Sequence, residues 1–197
     1  MDSLPSYIPS HSVTHVLQLI KDEDLEIKIK NERKTRHGDY RRLPNGKHQI
    51  TVNSNLNPYK FLITLIHEIA HLRAYKEYGN QIKPHGREWK QTFQKLMLPL
   101  IHPNIFPEEL LAKVAKHFIN PKASSDTDGQ LALALRKYNA DTDKIMVVQI
   151  AEGRKFKLHN GKVFERGVQR RKRIECKEIQ SGKWYLFNPY AEVDIIK

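Results

Sequence analysis

Hydrophobic and charged positions recur with two different periods in the first quarter of the chain. Apolar residues three and four apart predict a short helix near residues 13–20, whereas strict alternation predicts a half-buried strand at 25–30. A second strand within 33–43, interrupted at its glycine, folds back through a turn at 44–46 into a third strand at His48–Asn53. The pattern therefore predicts one helix and three strands before residue 54.

A long helix is predicted next, with a clear start and a clear stop. Asn57 is a good N-cap, Pro58 suits the first helical position, and Gly79 supplies the C-terminal stop, so the helix should span residues 58–78. Its wide apolar surface indicates that it is well buried. Two histidines and a glutamate lie inside it, and leaving such groups buried without partners would cost about 1–3 kcal/mol each.

Helical periodicity continues to about residue 138. Further helices are expected from Trp89 to Met97, between Pro107 and Pro121, and over residues 131–138. Their apolar stripes are read as core rather than as functional surfaces. The segment 124–129, rich in serine and aspartate, is the best linker candidate.

From Lys144 the pattern changes to that of short strands. Turn signals at Asn160-Gly161 and Ser181-Gly182 predict antiparallel hairpins, with one long basic strand over residues 168–179 between them. We therefore predict an α+β protein with two domains, 1–140 and 141–197, the second a small basic β-rich unit.

The net charge of +12 changes the functional picture. Residues 144–183 hold 12 Lys and Arg against 4 Glu, a net +8, and residues 28–47 hold 8 against 2, a net +6. A general cationic solubility would spread this charge evenly, so the clustering favours a polyanion such as nucleic acid as a partner.

Cellular location is predicted from what the sequence lacks. The single cysteine, Cys176, cannot form an internal disulfide, which suits a reducing compartment. No signal peptide is recognised, and no stretch approaches 18 consecutive apolar residues. A cytoplasmic protein that does not enter membranes is expected.

The candidate chemistry lies in the long helix, where His67-Glu68-Ile69-Ala70-His71 matches the pattern H-E-x-x-H. Residues four apart share one face of a helix, so the two imidazoles can bind one metal ion while Glu68 reaches a water beside it. The alternative is a buried helix with incidentally spaced histidines. The capped, apolar setting favours the metal site.

Catalytic zinc takes three protein ligands, so a third must come from elsewhere in the chain. The candidates are Glu77, His85 and Glu88. Glu77 points away from the metal face of its own helix, and Glu88 suits a supporting role. We favour His85, because Pro84 and Gly86 flank it with one rigid and one permissive residue that can direct its imidazole back to the helix.

These residues also carry a family resemblance. Residues 63–71, followed by Pro84-His85-Gly86 and Glu88-Trp89, resemble the SprT-like metalloprotease family, which includes the Spartan proteases; residues 36–40 and 50–53 resemble it too. The resemblance covers about residues 10–140. It implies a zincin-like core, one catalytic zinc held by His67, His71 and His85, and Glu68 as the base. It further implies protein substrates associated with DNA, such as DNA–protein crosslinks, and hence a role in DNA repair.

The C-terminal unit departs from many of those relatives, which end in a zinc ribbon with four cysteines. Cys176 alone, even with His159, cannot hold a structural zinc. We therefore predict a metal-free, ribbon-like unit held by aromatic residues: Phe156, Phe164, Trp184, Tyr185 and Phe187. The run Arg170, Arg171, Lys172 and Arg173 is its candidate nucleic-acid contact, and the alternative is a solvated basic edge strand.

The expected reaction is metal-assisted hydrolysis of a peptide bond, with Glu68 transferring the proton. Four tyrosines are candidates for stabilising the oxyanion: Tyr40, Tyr59, Tyr75 and Tyr78. The strand His48–Asn53 is expected to bind substrate by strand addition. Two alternatives remain: a nucleic-acid-binding or adaptor protein that keeps the fold without the catalysis, and a hydrolase acting on another amide.

Overall fold

A computed structural model of the chain describes residues 4–33, 35–140 and 144–196. Within them it shows five α-helices and two sheets, so the predicted α+β class is confirmed. The helices are α1 (Val13–Ile20), α2 (Pro58–Tyr78), α3 (Arg87–Met97), α4 (Glu108–Phe118) and α5 (Gly129–Arg136). None of these helices combines the length and apolar character needed to cross a lipid bilayer.

The first sheet has three strands: β1 (Leu25–Lys30), β2 (Gly38–Arg42) and β3 (His48–Asn53). Their order is β1-β3-β2, with β3 parallel to β1 and antiparallel to β2. Every residue of β3 is buried. The expectation that β3 binds substrate by strand addition is therefore wrong, because a central strand has both of its edges paired.

Polar residues of β3 are buried because side chains from β1, from β2 and from the segment between them pair with them. The amide of Gln49 accepts hydrogen bonds from the Arg41 guanidinium and donates to Glu26 Oε2 at 2.6 Å. Arg33 donates to Thr51 Oγ1 and to Asn53 Oδ1, both at 2.8 Å. A strand that alternates in sequence is thus covered on both faces.

Helix α2 packs against this sheet and has the bounds that its capping residues predict. The side chain of Asn57 accepts a hydrogen bond from Lys60 N, and Gly79 ends the helix with a φ of 71°. Asn57 Nδ2 also donates to Leu135 O at 2.9 Å and to Asn139 Oδ1 at 2.7 Å, so the cap ties α2 to a later segment of the chain.

Contacts divide the chain into two compact units. The first comprises residues up to Ala123 together with Ala134–Asn139, and the second comprises Ser124–Leu133 and the residues from Ala140 onward. The predicted domain boundary between 140 and 141 borders residues 141–143, which lie outside the described residues. The division into a metallopeptidase domain and a β-rich domain stays a prediction.

The second unit contains a six-stranded sheet. Its strands are β4 (Lys144–Met146), β5 (Lys155–Lys157), β6 (Val163–Arg170), β7 (Arg173–Glu178), β8 (Trp184–Phe187) and β9 (Glu192–Ile195), in the order β4-β9-β5-β6-β7-β8. Both predicted hairpin turns are present, at 158–162 and 178–183. Strand β9, which pairs with both β4 and β5, was not predicted.

The aromatic core predicted for this unit is confirmed in part. Phe156 and Phe164 are buried, and the rings of Phe187 and Tyr185 pack against Phe164 at 4.9 and 5.5 Å. Trp184 does not belong to this core, because it is 60% exposed on the edge strand β8. The description of the unit as a metal-free ribbon relative stays a prediction.

Candidate metal centre

Helix α2 places His67, Glu68 and His71 in its middle, one turn from first to last. Both histidines are partly buried, and Glu68 is only 6% exposed. The spacing of four residues brings the rings together, with centroids 4.9 Å apart. The two imidazoles therefore share one face of a helix whose bounds are set by its caps.

His85 reaches the same face from a tight turn before α3. Gly86 N donates to Lys83 O at 2.8 Å, with Pro84 and His85 as the two central residues. His85 has a φ of 59°, and proline followed by a positive φ is the pattern of a type II turn. A Cβ on Gly86 would lie 2.8 Å from Lys83 O, so the turn needs glycine there.

The sequence correctly indicated a rigid and permissive setting for His85, but it assigned the permissive role to the wrong residue. Gly86 has an ordinary φ of −70°, whereas His85 itself adopts the left-handed conformation. That conformation costs a residue with a side chain roughly 1–2 kcal/mol. Backbone strain of this size is found mainly at functional sites, where the surrounding structure holds the residue in place.

The three Nε2 atoms form a nearly equilateral triangle. His67 and His71 are 3.1 Å apart, His71 and His85 3.0 Å, and His67 and His85 3.2 Å. Nitrogen ligands about 2.0–2.1 Å from a tetrahedral zinc would lie about 3.3–3.4 Å apart. The triangle is therefore close to the size that zinc requires.

The protonation state of the cluster also suits a cation. Burial, with a further contribution from the neighbouring histidines, lowers the pKa of His67 to about 3 and that of His71 to about 4. Burial also lowers the pKa of His85. Neutral imidazoles are the form that binds metal.

Among the described residues, these three histidines are the group of metal-ligating side chains that meets at one point. The other two candidates for the third ligand are not part of it. Glu77 is exposed and hydrogen-bonds to Tyr78, while Glu88 Oε2 lies beside Gly86.

Trp89 forms the floor of the cluster. Its fully buried ring lies 4.6 Å from His67, 5.2 Å from His71 and 4.7 Å from His85, centroid to centroid. Its Nε1 has no hydrogen-bond partner among the described residues. In the sequence, Trp89 belongs both to a predicted core stripe and to the motif that resembles the SprT-like family. Its position four residues after His85 was the available signal for a positioning role.

Glu68 lies against strand β2. Its carboxylate accepts a hydrogen bond from the backbone N–H of Tyr40, and a Cβ on Gly38 would lie 2.6 Å from Glu68 Oε1. Gly38 therefore allows β2 to approach the helix at this point. Burial, reinforced by the negative charge of Asp39 and opposed by Arg33, raises the pKa of Glu68 to about 8.

The structure distinguishes the four tyrosine candidates. Tyr59 is half-buried and packs against Phe106 and Tyr138, and Tyr78 is exposed at the end of α2. The hydroxyl of Tyr75 accepts a hydrogen bond from Arg42 at 2.8 Å.

Tyr40 is the candidate whose ring contacts the cluster, parallel to His71 at a centroid distance of 6.4 Å. Its hydroxyl lies 3.0 Å from His48 Nδ1. Burial raises the pKa of Tyr40 to about 12, so the hydroxyl keeps its proton. It is a group that can donate a hydrogen bond close to the histidines.

The basic run belongs to the second unit and has a different local structure from the one predicted. Residues 168–179 are not one strand, because Arg170 ends β6, Arg173 begins β7, and Arg171 turns the chain with a φ of 43°. All four cations are exposed, and Arg170 pairs with Glu175 at 3.1 Å. The alternative of a basic edge strand is also wrong, since β6 and β7 lie inside the sheet.

Comparison with known proteins gives a family match, and it lies in the region that contains the histidines. No solved structure matches the chain. Residues 10–105 match the SprT-like family, a range that includes His67, Glu68, His71 and His85. The match covers 96 of the 197 residues, so this region of the chain is similar to the SprT-like family.

Proposed function

We propose that this protein is a zinc-dependent endopeptidase in which His67, His71 and His85 bind one zinc ion. The observation that carries the proposal is the triangle of three neutral imidazoles, whose Nε2 atoms lie 3.0–3.2 Å apart. The buried Glu68 directly follows the first of these histidines in the sequence. The match of residues 10–105 to the SprT-like family supports a metalloprotease-related role. Zinc fits the nitrogen donors and leaves a position open for water and substrate.

When bound, zinc supplies Lewis acidity, which makes water a nucleophile near neutral pH and polarises the substrate carbonyl. Glu68, in the carboxylate form that the positive charge of a bound zinc would favour, would take the proton from the attacking water and return it to the leaving amine. Its hydrogen bond from Tyr40 N orients the carboxylate for this transfer. The hydroxyl of Tyr40 is our candidate for stabilising the oxyanion, because its ring lies beside His71.

Strand β2 replaces β3 as the segment that binds an extended substrate. Hydrogen bonds from Asn53 N to His37 O and from Leu43 N to Lys47 O show that odd-numbered residues of this stretch pair with β3. The backbone N–H and C=O groups of Gly38 and Arg42 and the C=O of Tyr40 consequently face the free edge, while Tyr40 N donates to Glu68. A polypeptide can add to that edge, next to Glu68.

We further propose that the substrates are proteins associated with DNA, including proteins crosslinked to it. Support comes from the net charge of +12 and from the four exposed cations at the β6–β7 turn. Exposed cations attract the phosphate backbone without reading its sequence. The proposed partner is therefore single-stranded or structured DNA.

A proteolysis assay with Glu68→Gln tests the proposal. Wild-type and variant protein, each with its zinc content measured, are incubated with an unfolded protein, alone or with single- or double-stranded DNA. The wild type should cleave at least about 100-fold faster, since general acid–base groups contribute about 10²–10⁴-fold. Equal rates would exclude the protease and leave the adaptor alternative. Cleavage rates that do not change when DNA is added would exclude only the proposed role of DNA.

A further inference from the structure

A cavity of about 370 Å³ adjoins the histidine cluster, with His85 in its wall. The first two turns of α3 form one side, and the segment 119–121 after α4 forms the other. Gln94 holds the two sides together, because its Nε2 donates to Phe118 O at 2.9 Å and to Ile119 O at 3.0 Å. The cavity is thus a defined feature next to the site of the proposed reaction.

The lining is cationic. Arg87 and Lys90 contribute two positive charges, and no carboxylate belongs to the lining residues. Lys90 Nζ donates to Asn120 Oδ1 at 3.1 Å, a neutral partner that leaves its charge uncompensated. Arg87 is exposed and makes no ion pair with the described residues. Glu88 lies in the same helical turn but does not line the cavity.

Amide side chains supply the remaining polar groups of the lining. Gln91 and Asn120 can donate hydrogen bonds through their NH₂ groups. Cations and amide donors together match the oxygens of a carboxylate, since hydrogen bonds that involve a charged group are the stronger ones. An anionic group of side-chain size is therefore the occupant that the cavity fits.

We propose that this cavity binds an acidic side chain of the polypeptide substrate next to the scissile bond, with Arg87 and Lys90 as the residues that determine this specificity. The inference rests on the proposed peptidase function. An extended chain advances about 3.3 Å per residue, so a peptide bond at the histidines places a neighbouring side chain within a few ångströms. Because His85 is shared by both sites, binding in the cavity also positions the scissile bond.

Peptide binding to zinc-loaded Glu68→Gln protein tests the inference without requiring cleavage. The probes are two fluorescent unstructured peptides that differ in one central residue, Glu or Gln, so that only charge changes. The Glu peptide should bind about fivefold more tightly at low salt, as expected for a partly exposed ion pair. Adding Arg87→Glu and Lys90→Glu should invert the preference, and Arg87→Gln with Lys90→Gln should abolish it.

The matched control carries Lys95→Glu and Lys116→Glu, the same change in net charge at exposed positions outside the cavity. It should keep the preference for Glu. Equal binding of the two peptides, or equal losses in the control and the cavity variant, would overturn the inference. So would a cavity variant that loses binding of a short DNA strand but keeps the peptide preference, because the cavity would then bind phosphate.

Cleavage-site mapping separates this inference from the function on which it rests. In an unfolded protein, wild-type enzyme should cut next to Asp and Glu more often than their abundance predicts, and the Arg87→Glu, Lys90→Glu enzyme should cut next to Lys and Arg. Cleavage with no such preference refutes the specificity alone. Absence of cleavage by the wild type refutes the peptidase, while the binding experiment still decides the cavity.

Discussion

The histidine cluster and the basic β6–β7 turn hold their functional groups in opposite ways. In the cluster, the Nε2 atoms of three imidazoles lie within 3.2 Å of one another, and the buried Trp89 packs against all three rings. At the turn, four cations are exposed, and Arg170 pairs with Glu175 at 3.1 Å. The function proposed for the histidine cluster depends on the positions of its side-chain atoms. The function proposed for the basic turn depends on its number of positive charges. Substitutions should therefore act differently in the two regions.

The two tryptophans of the chain provide the sharpest contrast. Trp89→Ala should lower the free energy of unfolding by about 3–5 kcal/mol, because it empties a fully buried site beneath the histidines. Trp184→Ala, at a side chain that is 60% exposed, should cost less than about 1 kcal/mol. Urea unfolding followed by circular dichroism measures both. Equal losses would mean that the cluster is not built on Trp89.

The basic turn should respond to charge and not to shape. Replacing Arg170, Arg171, Lys172 and Arg173 by glutamine should weaken DNA binding at least about tenfold and reduce the slope of log K against log salt by up to about 3. Replacing the three arginines by lysine should preserve most of the binding. Fluorescence anisotropy at several salt concentrations reports both quantities. An unchanged slope would assign DNA binding elsewhere.

A smaller effect is expected where β2 meets Glu68. Gly38→Ala places a methyl group 2.6 Å from Glu68 Oε1, so the strand or the carboxylate must move. Proteolysis should fall about tenfold while zinc content stays at the wild-type level, because the histidines are untouched. Zinc analysis and initial rates on the same preparation separate the two effects. Loss of zinc in this variant would show that Gly38 supports the fold and not the position of Glu68.

The last comparison concerns Cys176, which belongs to the core of the second unit. Burial raises the pKa of its thiol to about 11. Because the thiolate is the reactive form, folded protein at pH 8 should react with a thiol reagent at least about 100-fold more slowly than urea-unfolded protein. Absorbance on reaction with a chromogenic disulfide measures the rates. Fast reaction of the folded protein would contradict a packed core around this residue.

Local signals in the sequence predicted the histidine cluster well. Asn57, Pro58 and Gly79 determine where α2 begins and ends, and the period of the helix brings His67 and His71 to one face. The turn before α3 could also be inferred from Pro84. Its positive φ at His85 could not, because histidine rarely adopts that conformation and does so here under the constraint of the surrounding fold.

Features that depend on pairing between distant segments were not predictable in the same way. The central place of β3 is decided by which strands pair with it, and its own alternation predicts only a half-buried strand. The turn at Arg171 has no glycine or asparagine to mark it. Trp184 is predicted to belong to the core together with the other aromatic residues of this unit, yet it is 60% exposed on β8, the last strand of the described sheet.

Zinc binding by the three histidines is the central claim, and one titration tests it most directly. Metal-free protein is titrated with zinc against a competing chelator, for the wild type, His85→Ala and the exposed control His159→Ala. The wild type and the control should bind one tight equivalent. His85→Ala should lose more than about 100-fold in affinity, since even a residue that only supports a ligand contributes about 10- to 100-fold. Equal affinity in all three proteins would contradict the three-histidine site.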